Sequence, residues 1–112
     1  MHAPASLDIL PVALHAVTLL KPLLEKIRTQ DKNLEDQIRR AASSVVLNLG
    51  EAARSVAGNR RARLETADGS LAETRVALQL ATAWGYVTTA EAKRVDDELD
   101  RVAAMLWRLR HR

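Results

Sequence analysis

Over the last quarter of this chain, apolar residues recur at alternating intervals of three and four: Ala92, Val95, Leu99, Val102, Leu106 and Leu109. That spacing draws one continuous apolar seam along an α-helix, whereas strand side chains alternate with period two. The same alternation runs through Leu64, Ala67, Leu71, Thr74, Leu78 and Ala81. It runs again, with one polar member, through Leu34, Ile38, Ala41, Val45, Asn48 and Ala52. A helix with one such seam must lay it against another, and seams of this period pack at a crossing angle of about 20°.

Punctuation divides the chain into four helical segments, about 6–28, 34–57, 60–84 and 89–111. Ser6, Asn33 and Asn59 read as N-caps of the first three. Gly58 and Gly85 read as left-handed stops. Thr88 and Glu91 form a Thr-x-x-Glu capping box for the fourth. Pro22 predicts a bend or break near the end of the first. Segments of similar length, roughly 35 Å each at 1.5 Å per residue, joined by short connections, predict an all-α, antiparallel up-down-up-down four-helix bundle. Residues 1–112 then form a single domain. Four glycines, three prolines and no Phe leave little material for the turns of a β-sandwich.

The chain has no Cys, which excludes a disulfide framework and thiolate chemistry. Its longest uncharged apolar stretch, Ile9 to Leu20, is too short to span a bilayer and contains Pro11. Asp8 stands where a secretory signal would carry basic residues, so a cytoplasmic protein with no membrane partner is expected.

The first segment carries two stripes rather than one. Leu7, Leu10, Leu14, Val17 and Leu24 form the first; Ile9, Ala13, Ala16, Leu20, Leu23 and Ile27 form the second, with Val12 and Leu19 beside them. A helix apolar on two sides needs two partners. In so small a bundle the second is another subunit, so a homo-oligomer is expected; complete burial in a monomer's core is the alternative. A turn at Gly58–Asn59 would also set Gly50 opposite Gly69. Two facing glycines allow close helix approach, while isolated ones merely weaken their helices.

Reactive constellations are missing from the pattern. His2, His15 and His111 lie far apart, with no Glu-x-x-His pair for a di-iron site and no His-x-x-x-His zinc spacing. Ser43, Ser44 and Ser70 lack a nucleophile elbow. The expectation is no enzyme, no catalytic residue, no metal and no cofactor. Asn48 on a seam, with Glu51 three residues on and Ser70 and Glu73 across the turn, reads as a hydrogen-bonded network that holds helix register; a polar site within or between subunits is the other reading.

A formal charge of +3 conceals a separation. In an up-down-up-down bundle the end of helix two, the start of helix three and the end of helix four share a pole. Arg54, Arg60, Arg61, Arg63, Arg108, Arg110 and Arg112 collect there, partly offset by Asp8, Glu51 and Glu65. The other pole holds Asp31, Glu35, Asp36 and Glu91 against Lys32 and Lys93. An all-Arg end suits phosphate backbones of RNA or DNA; a solvated cap complementing the dipole of helix four is the alternative. The few aromatics argue against reading single strands by base stacking.

From Gln37 to Val87 the chain reads QIRRAASSVVLNLGEAARSVAGNRRARLETADGSLAETRVALQLATAWGYV. This resembles the four-helix bundle proteins encoded by intervening sequences of large-subunit ribosomal RNA genes, a family similar to the accessory variability determinant of diversity-generating retroelements. The shared pattern is Q-I-R-R-A-A-x-S-[IV]-x-x-N-[IL]-x-E-G, a basic turn, A-x-G-S-x-x-E and a closing G-Y-[LV]. Gln37, Arg39, Arg40, Ser44, Asn48 and Glu51 match its first part; Ala67, Gly69, Ser70 and Glu73 match its second; Gly85 and Tyr86 close it. Ala52 departs from the pattern's Gly. The resemblance implies a homopentamer without catalytic activity whose general role is undetermined. Through the retroelement proteins it also implies basic nucleic-acid surfaces and a polymerase-type partner, a reverse transcriptase. A protein-interaction adaptor for such an enzyme is therefore the second functional expectation.

Overall fold

The computed structural model describes residues 5–112, with side chains from Asp8 onward. His2, the capping side chain of Ser6 and the place of Leu7 in the first stripe lie outside the described residues. Four helices follow in order: α1 (Ala5–Arg28), α2 (Lys32–Arg54), α3 (Ala57–Ala83) and α4 (Thr89–Arg110). Each packs against its chain neighbours and α1 closes on α4, giving a bundle of 45 × 22 × 19 Å. The antiparallel four-helix arrangement is the one the seams demand.

The seams are the core. Leu64, Ala67, Leu71, Thr74, Leu78 and Ala81 of α3 are all buried, as are Val95, Leu99, Val102, Leu106 and Leu109 of α4. On α2, Leu34, Ile38, Ala41, Val45 and Ala52 are buried, while Asn48 is half-buried. Thr74 escapes an unpaired hydroxyl by donating to the Ser70 carbonyl at 2.8 Å, one turn back. The second stripe of α1 (Ile9, Ala13, Ala16, Leu20, Leu23, Ile27) is buried together with Val12. Its other stripe is not: Leu10, Val17 and Leu24 are half-buried and Leu14 is 52% exposed.

Several boundaries differ from the sequence expectation. Helix α1 runs through Pro22 without a break. The proline denies a donor to the Thr18 carbonyl, but both residues are on the solvent side, where water can serve that oxygen. Asp31, not Asn33, caps α2, accepting from the Leu34 N–H at 2.9 Å. The chain reverses at Ser55 and Val56, not at Gly58–Asn59. Ser55 donates its hydroxyl to the Glu51 carbonyl at 2.7 Å, satisfying one orphan acceptor of the α2 end, and both residues are extended. Gly58 is then the second residue of α3, with no left-handed backbone, and Asn59 caps nothing.

That earlier reversal slides α3 along α2. Ser44 and Ser70 come face to face, their hydroxyls 2.7 Å apart, and Gly50 and Gly69 do not meet. A Cβ on either glycine would find nothing within 4 Å. The expected close approach at these glycines is absent. At the other end the reading holds: Gly85 has φ +79°, its N–H donates to Thr82, and Thr88 with Glu91 completes the capping box.

The two glycine classes should respond oppositely to alanine. Gly50→Ala should raise stability by about 0.5–1 kcal/mol, since helical backbone and open space favour a methyl. Gly85→Ala should lower it by about 1–2 kcal/mol, because its left-handed backbone disfavours any Cβ. Denaturant unfolding of both variants measures the two signs.

Candidate nucleic-acid interface

The topology brings the start of α1, the end of α2, the start of α3 and the end of α4 to one pole. The predicted arginines are therefore neighbours, but they do not form one patch. Arg60, Arg61, Arg110 and Arg112 line a cleft of about 610 Å³ between the first turns of α3 and the end of α4. Its lining includes the buried Leu64 and Leu109 and one carboxylate, Glu65. Arg108 lies on the opposite side of α4, in a smaller cleft of about 170 Å³ with Asp8, Met105 and Arg112. Arg54 ends α2, exposed. Arg63 turns toward α2 and donates to Asn48 Oδ1 at 3.5 Å.

Pairing separates the two poles more sharply than residue counts. Of the polar arginines only Arg110 has a carboxylate partner among the described residues, Asp68 at 3.1 Å. Acidic residues at the far pole are committed. Asp36 pairs with Arg40 at 3.0 Å and the buried Glu35 with Arg39, one turn away. Asp31 accepts from the Tyr86 hydroxyl at 3.1 Å as well as capping α2. Burial, then that bond, pushes the Tyr86 hydroxyl above its usual pKa. Glu91 binds Lys26 across the α1–α4 contact at 2.8 Å and accepts from the Thr88 N–H. The Lys26 bond first, and the Thr88 N–H second, lower its carboxyl to about 2.

The first turn of α3 adds to the contrast. Helix N-termini carry partial positive charge and favour acidic residues. This one has no acidic residue and no side-chain cap, and places Arg60 and Arg61 just beyond. Arg108 and Arg110 at the end of α4 have the favourable polarity. The solvated-cap reading thus accounts for the α4 arginines and not for those of α3.

The predicted register network is present in altered membership. Asn48 donates to the Ser44 carbonyl at 2.8 Å and its hydroxyl at 3.1 Å, and Ser44 meets Ser70. Glu51 and Glu73 are exposed and neither carboxylate joins it. Ser44 and Arg63 take their places, because the slide of α3 brings Ser70 to Ser44 and leaves Glu73 outward. Sequence reasoning could have found Ser44 from its position one turn before Asn48. The Arg75 clamp between α3 and α4 had no local signal. Arg75 bonds Asp96 at 2.9 and 3.0 Å and Asp100 at 3.4 Å. The Asp96 hydrogen bond chiefly raises its guanidinium above the ordinary value. His15, far from the other histidines, pairs with Glu98 of α4.

Among the described residues no three His, Asp or Glu side chains converge as a metal-binding group, and no helix is long and apolar enough to cross a membrane. The geometry is that of a helical bundle with a recessed basic end. Residues 7–108 match the family described as 23S rRNA-intervening sequence protein, and the chain belongs to that family. Its fold is similar to the crystal structure of a protein with unknown function from the S23 ribosomal protein family of Bacteroides thetaiotaomicron. The two superpose with a TM-score of 0.82 at 20% identity, over 91% of this chain and 97% of that one. No curated protein matches the sequence.

The far pole supplies a pH test. The Glu91 carboxyl is lowered from 4.5 to about 2, so its charge stabilises the fold above the unfolded value and that contribution is lost as pH falls toward 2. Glu91→Gln keeps a capping acceptor and removes the charge. Its melting temperature should lie below the parent's at pH 7, with the gap closing between pH 4.5 and 2 in parallel thermal melts. A gap independent of pH would refute the assignment.

Proposed function

We propose that this chain is a non-enzymatic, self-associating bundle of the cytoplasm whose Arg-rich pole binds RNA or DNA through phosphate. The observation that carries the proposal is the pairing contrast: Arg54, Arg60, Arg61, Arg108 and Arg112 have no carboxylate partner among the described residues, while the carboxylates of the far pole are committed to caps and ion pairs. Guanidinium groups left without internal partners at one recessed end are suited to bidentate contact with phosphate oxygens. Binding of this kind weakens steeply with salt and depends little on sequence.

Self-association draws on two unlike apolar faces. One is the uncovered stripe of α1, where Val17 and Leu24 line a groove against α2 edged by Lys21, Arg28 and Glu25 and by the Arg39–Glu35 pair. The other is the outward stripe of α3, Ala72, Val76 and Leu80, with Val76 62% exposed and Glu65 and Glu73 on the same side of the helix. Two unlike apolar faces suit a head-to-tail contact, which closes into a ring when its rotation permits. The homopentamer implied by the family is such a ring. The adaptor reading uses the same α3 stripe for a polymerase-type partner instead.

Mobility-shift titrations with duplex and structured RNA and DNA across a salt series test the nucleic-acid part. Binding should be present at low salt and fall as salt rises, and Arg60→Ala with Arg61→Ala should weaken it about tenfold or more. No binding at low salt, or none of that loss, overturns it. Light scattering should give an oligomer that Val76→Asp dissociates. A stable monomer of the parent chain would refute the assembly and favour the adaptor.

A further inference from the structure

We infer that the cleft between the first turns of α3 and the end of α4 seats a phosphomonoester, the free phosphorylated end of a nucleic-acid strand. This rests on the reading of the Arg-rich pole as a nucleic-acid surface and goes beyond it by distinguishing strand ends from strand interiors.

The distinction comes from shape and charge together. An interior phosphodiester carries one negative charge and continues into chain on both sides, so it lies along an outer surface. Outward arginines such as Arg54 can meet it there. A terminal phosphate carries nearly two charges near neutral pH and is tethered on one side only, so it can enter a recess. The cleft is such a recess, about 610 Å³ between two helices, with the buried Leu64 and Leu109 in its lining. Arg60, Arg61 and Arg112 line it from two different parts of the chain, without carboxylate partners among the described residues. Arg110, anchored by Asp68, supplies a fixed donor wall. Converging guanidinium groups around a concave site gain more from a doubly charged, three-oxygen group than from a diester. Glu65 is the opposing charge in the lining, and its carboxylate has no hydrogen-bond or ion-pair partner among the described residues.

An aromatic pair stands at the cleft's edge. His111, part of the lining, stacks on Trp107 with ring centroids 4.1 Å apart and planes 16° from parallel. Its Nδ1–H donates to the Trp107 carbonyl at 2.8 Å, which holds the stack together. Trp107 is 60% exposed, so the indole offers a surface to the nucleotide whose phosphate enters. It also provides a reporter, since the second tryptophan, Trp84, lies at the far pole beside Tyr86.

The test uses the full chain carrying Trp84→Phe, so that Trp107 alone emits. One oligonucleotide is compared in three forms: 5′-phosphorylated, 3′-phosphorylated and with both ends hydroxyl. A phosphorylated end should bind about ten- to a hundredfold tighter than hydroxyl ends and quench Trp107. The end that gains identifies the source of the phosphate. Arg60→Gln with Arg61→Gln should abolish the preference, with unchanged helical circular dichroism, so that all three forms bind alike at an affinity about tenfold or more below that of the hydroxyl-ended form on the parent. Glu65→Gln should strengthen binding of the phosphorylated end several-fold, and Arg54→Ala should leave the preference intact.

Equal affinity for all three forms overturns the end-recognition inference and leaves the nucleic-acid reading standing. A preference that survives loss of both Arg60 and Arg61, or that Glu65→Gln weakens, also overturns it, because the phosphate then sits elsewhere. Failure of every form to bind at low salt removes the nucleic-acid reading itself.

Discussion

Four apolar seams of nearly equal length leave water together by lying side by side, and the rest of this molecule follows from that constraint. Lateral packing uses the helix sides, so seam residues from Ile9 to Leu109 form one continuous core. The core makes few demands on the ends. Backbone groups there need caps, but the charge of the side chains around them is open to variation. The two poles have used that latitude in opposite ways.

At the far pole, carboxylates do structural work. Asp31 caps α2 and holds Tyr86; Glu91 caps α4 and bridges to α1 through Lys26. Each is fixed by at least two partners, so acidic charge there is tied to the geometry of turns. At the basic pole the connection between α2 and α3 closes with a serine hydroxyl, and the start of α3 has no side-chain cap. Arg60 and Arg61 follow where the dipole disfavours cations. Their mutual repulsion is tolerable because they stand at a solvated end. The isolated fold gains nothing from cations at that position, which is what the proposal of a phosphate-binding pole rests on.

The seams were legible because burial repeats the same demand every three or four residues, and many residues vote together. Thr74 was readable as core on spacing alone and is buried. The Thr88–Glu91 box and Gly85 were legible for another reason: each satisfies a requirement local to a few residues. The α2–α3 reversal was not, because Gly58 and Asn59 offer the usual stop and cap while Ser55 does the same work by a side-chain bond. Three residues of displacement there shift α3 against α2. That is why Ser44 replaced Glu51 and Glu73 in the polar network and why Gly50 misses Gly69. Pairings across helices, such as Arg75 with Asp96, depend on that register and leave no trace in local sequence.

The same displacement shapes the basic pole. With Ala57 as its first residue, α3 carries Arg60 and Arg61 one turn into the helix rather than at its first two positions, on the helix sides that adjoin Leu64 and the end of α4. A helix starting at Arg60 would have set them at its N-terminal edge, three residues earlier in the helix. Inside the helix their backbones are fixed, and the residues after α4 close the opposite wall. The arginines therefore split into groups with different geometry: Arg60, Arg61, Arg110 and Arg112 around a recess, Arg108 on the far side of α4, and Arg63 drawn into the α2–α3 contact. A pole that reads as one positive patch in the sequence is thus a recess with flanking surface, two shapes on which the same residue type meets its surroundings differently.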